Sequence, residues 1–235
     1  VDVMSLGVTL AWATEALQHG LISTVETDGL QLEWGGYPAY LAATERIVSQ
    51  PNDFYRALAC GADHAASIYG GADFALTFGG NEMPGYHTGP GCHLGYLTGA
   101  RHSHLDSAGY SLDQKAAVKG EALTPEGVAH ALIEEERWRQ VLTSLVICLF
   151  ARGMYTPEVV LQALATAGYA WSQDDLARLG ADVLRRKYDF KQREGFDLAK
   201  LRIPKRILET DTPLGKIDEG FMRQAIQAYG QALKG

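Results

Sequence analysis

Histidines, a cysteine and glycines crowd one stretch of this chain. It reads Gly85-Tyr86-His87-Thr88-Gly89-Pro90-Gly91-Cys92-His93, then Gly99-Ala100-Arg101-His102-Ser103-His104-Leu105-Asp106. Histidine exchanges protons near neutral pH or ligates metals. Glycine lets the backbone approach a ligand closely or turn through positive φ. The stretch is therefore expected to hold a site. The competing reading is a buried turn whose histidines bond to backbone groups.

Other chemistries find less support. His102-Ser103-His104-Leu105-Asp106 matches the opening HxHxD of a dinuclear zinc hydrolase motif, but that motif continues with His and position 107 is Ser. Cys92 and His93 are adjacent, a poor spacing for a chelate, and no CxxC occurs. A self-contained zinc or iron–sulfur site is not expected. Cys148 lies in the apolar run Leu145-Val146-Ile147-Cys148-Leu149-Phe150 and reads, on composition, as a buried core thiol. There is no GxSxG elbow, no P-loop and no GxGxxG before a helix, so a serine nucleophile and a nucleotide site lack support.

The elements that position these residues read as mainly α, multi-helical, in two helical lobes. Met4 to His19 has helical spacing with Gly20 as its stop. Further helices are expected over Tyr37 to Ser49, Asp53 to Cys60 and Ala62 to Tyr69. Short strands are expected at Leu30 to Trp34 and Phe74 to Phe78. Loops are expected through the rest of Gly70 to Gly109. Thr124-Pro125 and Thr156-Pro157 are helix starts with Pro at the first helical position. The apolar run Val141 to Phe150 reads as buried helix. Ser172 to Asp175 caps a long helix to about Glu194, and Phe221 to Leu233 is a last amphipathic helix. The lobes are expected to divide as 1–72 and 73–235.

The chain has 235 residues, 46% hydrophobic, with a net charge of −7. Disorder is excluded by the apolar content. The acidic balance and interleaved charges argue against a nucleic-acid partner. No apolar run approaches the ~20 residues needed to span a bilayer. Three widely spaced cysteines suggest no disulfide framework, so a reducing cytoplasm is expected. Glycine, at 26 residues, is about 11% against a usual ~7%. The opening Val1-Asp2-Val3-Met4 reads as the inside of a structured segment of a longer protein.

Collinear stretches resemble the aldehyde:ferredoxin oxidoreductases, which hold tungsten or molybdenum on two pterin dithiolenes. Val1-Asp2-Val3-Met4-Ser5-Leu6-Gly7 resembles the family's LDTISTG segment. Asp73-Phe74-Ala75 and Asn81-Glu82-Met83-Pro84-Gly85-Tyr86 resemble its DFA…KG.E.PAYDPRG loop. Gly99-Ala100-Arg101-His102 resembles its RGA.H turn. Gln192-Arg193-Glu194-Gly195-Phe196 and Pro204-Lys205-Arg206-Ile207-Leu208-Glu209 resemble NxREGF and LPKRFLEE. The resemblance covers the family's helical second and third domains. It makes 1–72 the C-terminal part of the second and 73–235 the third.

The resemblance implies that each helical domain presents a DxxGL(C/D) loop to one pterin. Asp2 matches the last position of the first loop, and Thr143-Ser144-Leu145-Val146-Ile147-Cys148 matches the second. It thus implies cofactor contacts at Asp2, His104, Thr143, Ile147 and Cys148. It adds to Cys148 the role of one ligand to a [4Fe–4S] cluster, beside the core-packing reading. His102 matches the active-site histidine that exchanges a proton with the substrate carbonyl. Thr143 replaces the motif's Asp, Val146 its Gly, and Thr98 the Arg of the RGA turn. Tyr86, Tyr96 and Tyr110 are candidate pocket walls.

The implied function is oxidation of aldehydes to acids, with electrons passing through the cluster to ferredoxin or an electron-transfer subunit. The alternatives are the tungsten subunit of an aryl-CoA reductase-like complex, and a non-catalytic structural or assembly homologue. The implied partners are a small carbonyl substrate and an N-terminal domain bearing the other cluster ligands; a homo-oligomer is allowed.

Overall fold

The structure, a computed structural model, describes residues 1–234. Its elements in chain order are α1 (Val3–Gln18), α2 (Tyr37–Ser49), α3 (Asp53–Ala59), α4 (Ala62–Tyr69), β1 (Thr77–Phe78), β2 (Asn81–Glu82), α5 (Pro90–Thr98), α6 (His104–Ser107), α7 (Gly109–Lys119), α8 (Pro125–Ser144), α9 (Pro157–Thr166), α10 (Gln173–Arg193), α11 (Arg206–Glu209) and α12 (Glu219–Ala232). The fold is mainly α, as the periodicity requires. Among the described residues no helix is long and apolar enough to cross a membrane.

The capping signals act as expected. Thr124 accepts the Gly127 N–H at 3.1 Å to open α8. Ser172 and Asp175 form a reciprocal capping box at the start of α10. Three expectations fail. Leu30 to Trp34 is not a strand: no strand pairs with it, and the Leu30 carbonyl accepts from Thr27 Oγ1 at 2.6 Å. Only Thr77–Phe78 of the second expected strand pairs, with Asn81–Glu82, because Phe74 and Ala75 turn back onto the Gly71 carbonyl. The run Val141 to Phe150 leaves the helix after Ser144. Val146 takes φ +58°, ending the ladder, and Val146 and Phe150 stand more than 90% exposed.

The chain forms two compact units. The first comprises Val1–Tyr86 and Arg202–Asp211; the second comprises His87–Leu201 and the residues from Thr212 onward. The stretch 73–86, placed above with the second lobe, folds with the first unit, and 202–211 returns to that unit. The first unit buries Trp12, Ala13, Ala16, Leu32, Phe54 and Tyr55 in one core. Tyr55 Oη and Arg46 Nη1 both donate to the Thr27 carbonyl, at 2.8 and 2.9 Å. Arg202 holds the returning segment by donating to Thr77 Oγ1 and the Ala72 carbonyl, both at 2.6 Å. Arg206 of α11 pairs with Glu15 of α1.

In the second unit α8 packs against both α10 and α12, and α5 against α7. Leu94, Leu97, Leu132, Ile133, Met222 and Tyr229 are buried there. Helix α5 was not expected inside the glycine-rich stretch. Its first N–H groups are capped by Asp113 of α7, which accepts from Gly91 and Cys92 at 2.8 Å each. Burial pushes that carboxyl up to about 6. A cap supplied from 21 or 22 residues away leaves no local signal. The glycines themselves serve this packing. A Cβ on Gly109 falls 2.0 Å from the Gly91 carbonyl oxygen, so the α5–α7 approach excludes any side chain. Cβ atoms on Gly95 and Gly99 meet Ser107 and Asp106 below 3 Å. The expectation that these loops exist for ligand approach is corrected at these positions: the close neighbour is the unit's own chain.

Candidate active site

His102 sits on the turn that joins α5 to α6. Its backbone is left-handed, φ +55°, a conformation uncommon outside glycine and found where surrounding bonds enforce it. Those bonds are present. The Ala100 N–H donates to Glu136 Oε1 at 2.8 Å. Arg101 donates its backbone N–H and its Nε–H to the two oxygens of Asp106, both at 2.8 Å. The Ser103 N–H donates to Asp106 at 3.1 Å. Lys191 Nζ donates to the Gly99 carbonyl at 3.0 Å, and Tyr188 Oη to that of Thr98. Every residue on either side of His102 from 98 to 103 is thus tied by a side chain, or ties itself, to a buried anchor.

The imidazole follows from this frame. Its Nδ1 lies 2.8 Å from the Tyr96 carbonyl. A carbonyl only accepts, so Nδ1 carries the proton and Nε2 the lone pair. The ring packs edge-on against Phe196, centroids 5.5 Å apart. Burial first, then the Lys191 cation, holds His102 below the ordinary imidazole range. A half-buried neutral histidine with a fixed tautomer is suited to accept a proton.

Behind it lies a set of groups that sequence reasoning missed. Glu136 is fully buried and accepts from Tyr229 Oη at 2.7 Å. Burial, with the nearby Asp106 charge, pushes its carboxyl up to about 7. Lys191 Nζ sits 3.7 Å from the Phe196 ring centre, and burial lowers it to about 8. Glu136 did leave a trace: it shares the buried face of α8 with Leu132, Ile133 and Gln140, at helical spacing. A carboxylate on such a face must find partners.

The expected cofactor positions separate. Asp2 is exposed in the first unit and caps α1, accepting the Ser5 N–H at 2.7 Å. Thr143 to Cys148 lie in the second unit. Thr143 Oγ1 bonds the carbonyls of Arg139 and Gln140, at 2.8 and 3.2 Å, so its proton is committed and only its lone pairs can receive a donor. The Ile147 side chain packs on the core of Val141, Leu142, Val160 and Leu176. Cys148 is exposed, which corrects the reading of a buried core thiol. The left-handed turn at Val146 is one that glycine adopts without strain. The loop therefore keeps the shape the motif's glycine permits, with the thiol on its surface, and fits the implied group.

His104 opens α6. Its ring lies 6.3 Å from that of Tyr110. Burial and the Arg139 cation lower its pKa, which favours the neutral imidazole. Of the other tyrosines, Tyr96 is buried and Tyr86 belongs to the first unit. His102, His104 and Asp106 do not converge, and among the described residues no three His, Cys, Asp or Glu side chains are grouped to hold a metal.

The model of the family described as aldehyde ferredoxin oxidoreductase, domains 2 & 3, matches residues 1–233. The chain belongs to that family. A tungsten-containing aldehyde ferredoxin oxidoreductase of Pyrococcus abyssi is 25% identical over 230 residues, 92% of this chain and 37% of the relative. The protein of the same description from Pyrococcus horikoshii matches with the same identity and coverage. The chain thus spans little more than a third of the length of these curated relatives.

Proposed function

We propose that this chain forms the two helical domains of a tungsten or molybdenum pterin oxidoreductase that converts aldehydes to carboxylic acids. The observation that carries this reading is His102: a matched motif histidine, neutral, with one tautomer enforced and its Nε2 lone pair uncommitted. Aldehyde plus water going to acid releases two electrons and two protons, and His102 Nε2 takes up one of those protons. The metal–pterin group, when bound, supplies the two-electron chemistry. Asp2 offers a carboxylate to one pterin. Thr143 offers hydroxyl lone pairs, Ile147 its backbone and His104 a neutral imidazole to the other. Cys148 would supply one thiolate to a [4Fe–4S] cluster, and that cluster would provide electron transfer toward ferredoxin or an electron-transfer subunit. The remaining ligands come from a region like the one that the relatives possess beyond the matched part.

A second reading is a homologue that no longer binds the cofactor. The commitment of the Thr143 proton to helix carbonyls favours it. Anaerobic purification of the full-length polypeptide, followed by metal and pterin analysis, separates the two. The enzyme reading expects stoichiometric tungsten or molybdenum with pterin; their absence after metal-supplemented expression establishes the second reading.

A further inference from the structure

A cavity of about 390 Å³ in the second unit lies between the start of α7 and the face of α8, and its polar lining is Ser107, Ser111, Lys115, Glu135, Arg139 and Arg152. Its volume is in the range of small-ligand sites. Three cations face one carboxylate there, in a chain whose net charge is −7. Arg139 has only 4% of its side chain exposed. Its Nε donates to Glu135 at 2.8 Å and its Nη1 to the Leu105 carbonyl at 2.6 Å, but its shielded Nη2 has no partner. A buried guanidinium proton without an acceptor is costly. Arg152 bonds only its own turn, at the Leu149 carbonyl, 3.0 Å away. Neither Arg152 nor Lys115 has a carboxylate partner among the described residues.

We propose that this cavity binds a phosphoryl group, held by Arg139, Arg152 and Lys115 with the Ser107 and Ser111 hydroxyls. Arginine and lysine suit a tetrahedral oxyanion, and each charge-assisted bond exceeds a neutral one in strength. The single carboxylate, Glu135, is taken up by Arg139 Nε and leaves an excess of positive charge. The proposal does not depend on the oxidoreductase reading.

The test is a titration of the chain with inorganic phosphate, and separately with phenyl phosphate, followed by amide and arginine Nε–H NMR signals at constant ionic strength. The expected result is saturable shifts confined to residues 107–115, 139 and 152, weakened roughly 5- to 10-fold by Lys115→Gln and by Arg152→Gln. Tighter binding of phenyl phosphate assigns the site to a phosphate ester; equal binding assigns it to free phosphate. Arg139→Gln tests the buried contact where circular dichroism shows it folded, and the exposed Lys115 keeps the test decisive where it is not. Shifts that do not saturate, that chloride reproduces, or that survive Lys115→Gln and Arg152→Gln unchanged overturn the proposal.

Discussion

Glu136, in the middle of α8, accepts the backbone N–H of Ala100 at 2.8 Å, so a fully buried carboxylate holds the turn that carries His102. The same carboxylate takes the Tyr229 hydroxyl on its other oxygen. Three segments far apart in the chain thereby meet behind one imidazole.

This carboxylate makes the second unit pH-sensitive. Its folded pKa, about 7, lies above the ordinary value, so the fold favours the protonated form. The stabilisation is complete below about pH 4.5 and is lost as pH rises through 7, by roughly 3 kcal/mol at ~1.4 kcal/mol per unit. Glu136→Gln keeps the shape and removes the titration. Urea denaturation at pH 5 and pH 8 should show the wild-type chain weaker at the higher pH and the variant with a smaller loss, the remainder coming from Asp113, whose carboxyl burial raises to about 6. An equal pH response in both chains contradicts this.

After burial, the Lys191 cation is the next influence that lowers the proton affinity of His102. Lys191→Gln can still donate to the Gly99 carbonyl but removes the charge, so the His102 pKa should rise while burial keeps it under the ordinary value. Lys191→Arg, which retains the charge, should leave it low. Titration of the His102 Hε1 signal by NMR reads both variants. A purely structural lysine leaves the glutamine variant where the wild type is.

On the oxidoreductase reading proposed above, His102→Ala in the full-length polypeptide should lower turnover by roughly 10²-fold or more, the usual scale of general acid–base loss. Metal and pterin content should stay unchanged, because the only hydrogen bond that the substitution removes is that of the imidazole to the Tyr96 carbonyl. Steady-state rates beside elemental analysis make the check. Undiminished turnover removes His102 from the mechanism.

Val146 carries strain that its side chain does not repay. A β-branched residue at φ +58° costs about 1–3 kcal/mol, and the side chain is 91% exposed. Val146→Gly relieves this at an entropic cost of about 0.5–1 kcal/mol. A net gain of about 1 kcal/mol in thermal or chemical stability is expected. A loss of stability shows that the valine makes a contact worth more than the strain.

Much of the helical layout was legible because its signals are local. Thr124, Thr156 and Ser172 each start a helix with a hydroxyl bonded within three residues, and Asp2 does so with its carboxylate. Periodicity placed α1, α2, α3 and α12 for the same reason. The apolar run at 141–150 misled because hydrophobicity says nothing of where a single residue turns left-handed. Val146 did that, and the thiol of Cys148 came to the surface.

Periodicity and collinear motifs were enough for the helical class and the family, and they singled out His102 as a candidate. Tertiary structure alone decided what His102 is: a neutral imidazole with its proton on Nδ1. That state depends on the Tyr96 carbonyl, the Lys191 charge and the Asp106 and Glu136 anchors. Tautomer and proton affinity are set by burial and by charges a few ångströms away in space, and those groups come from α5, α6, α8 and α10, whose meeting no local pattern encodes.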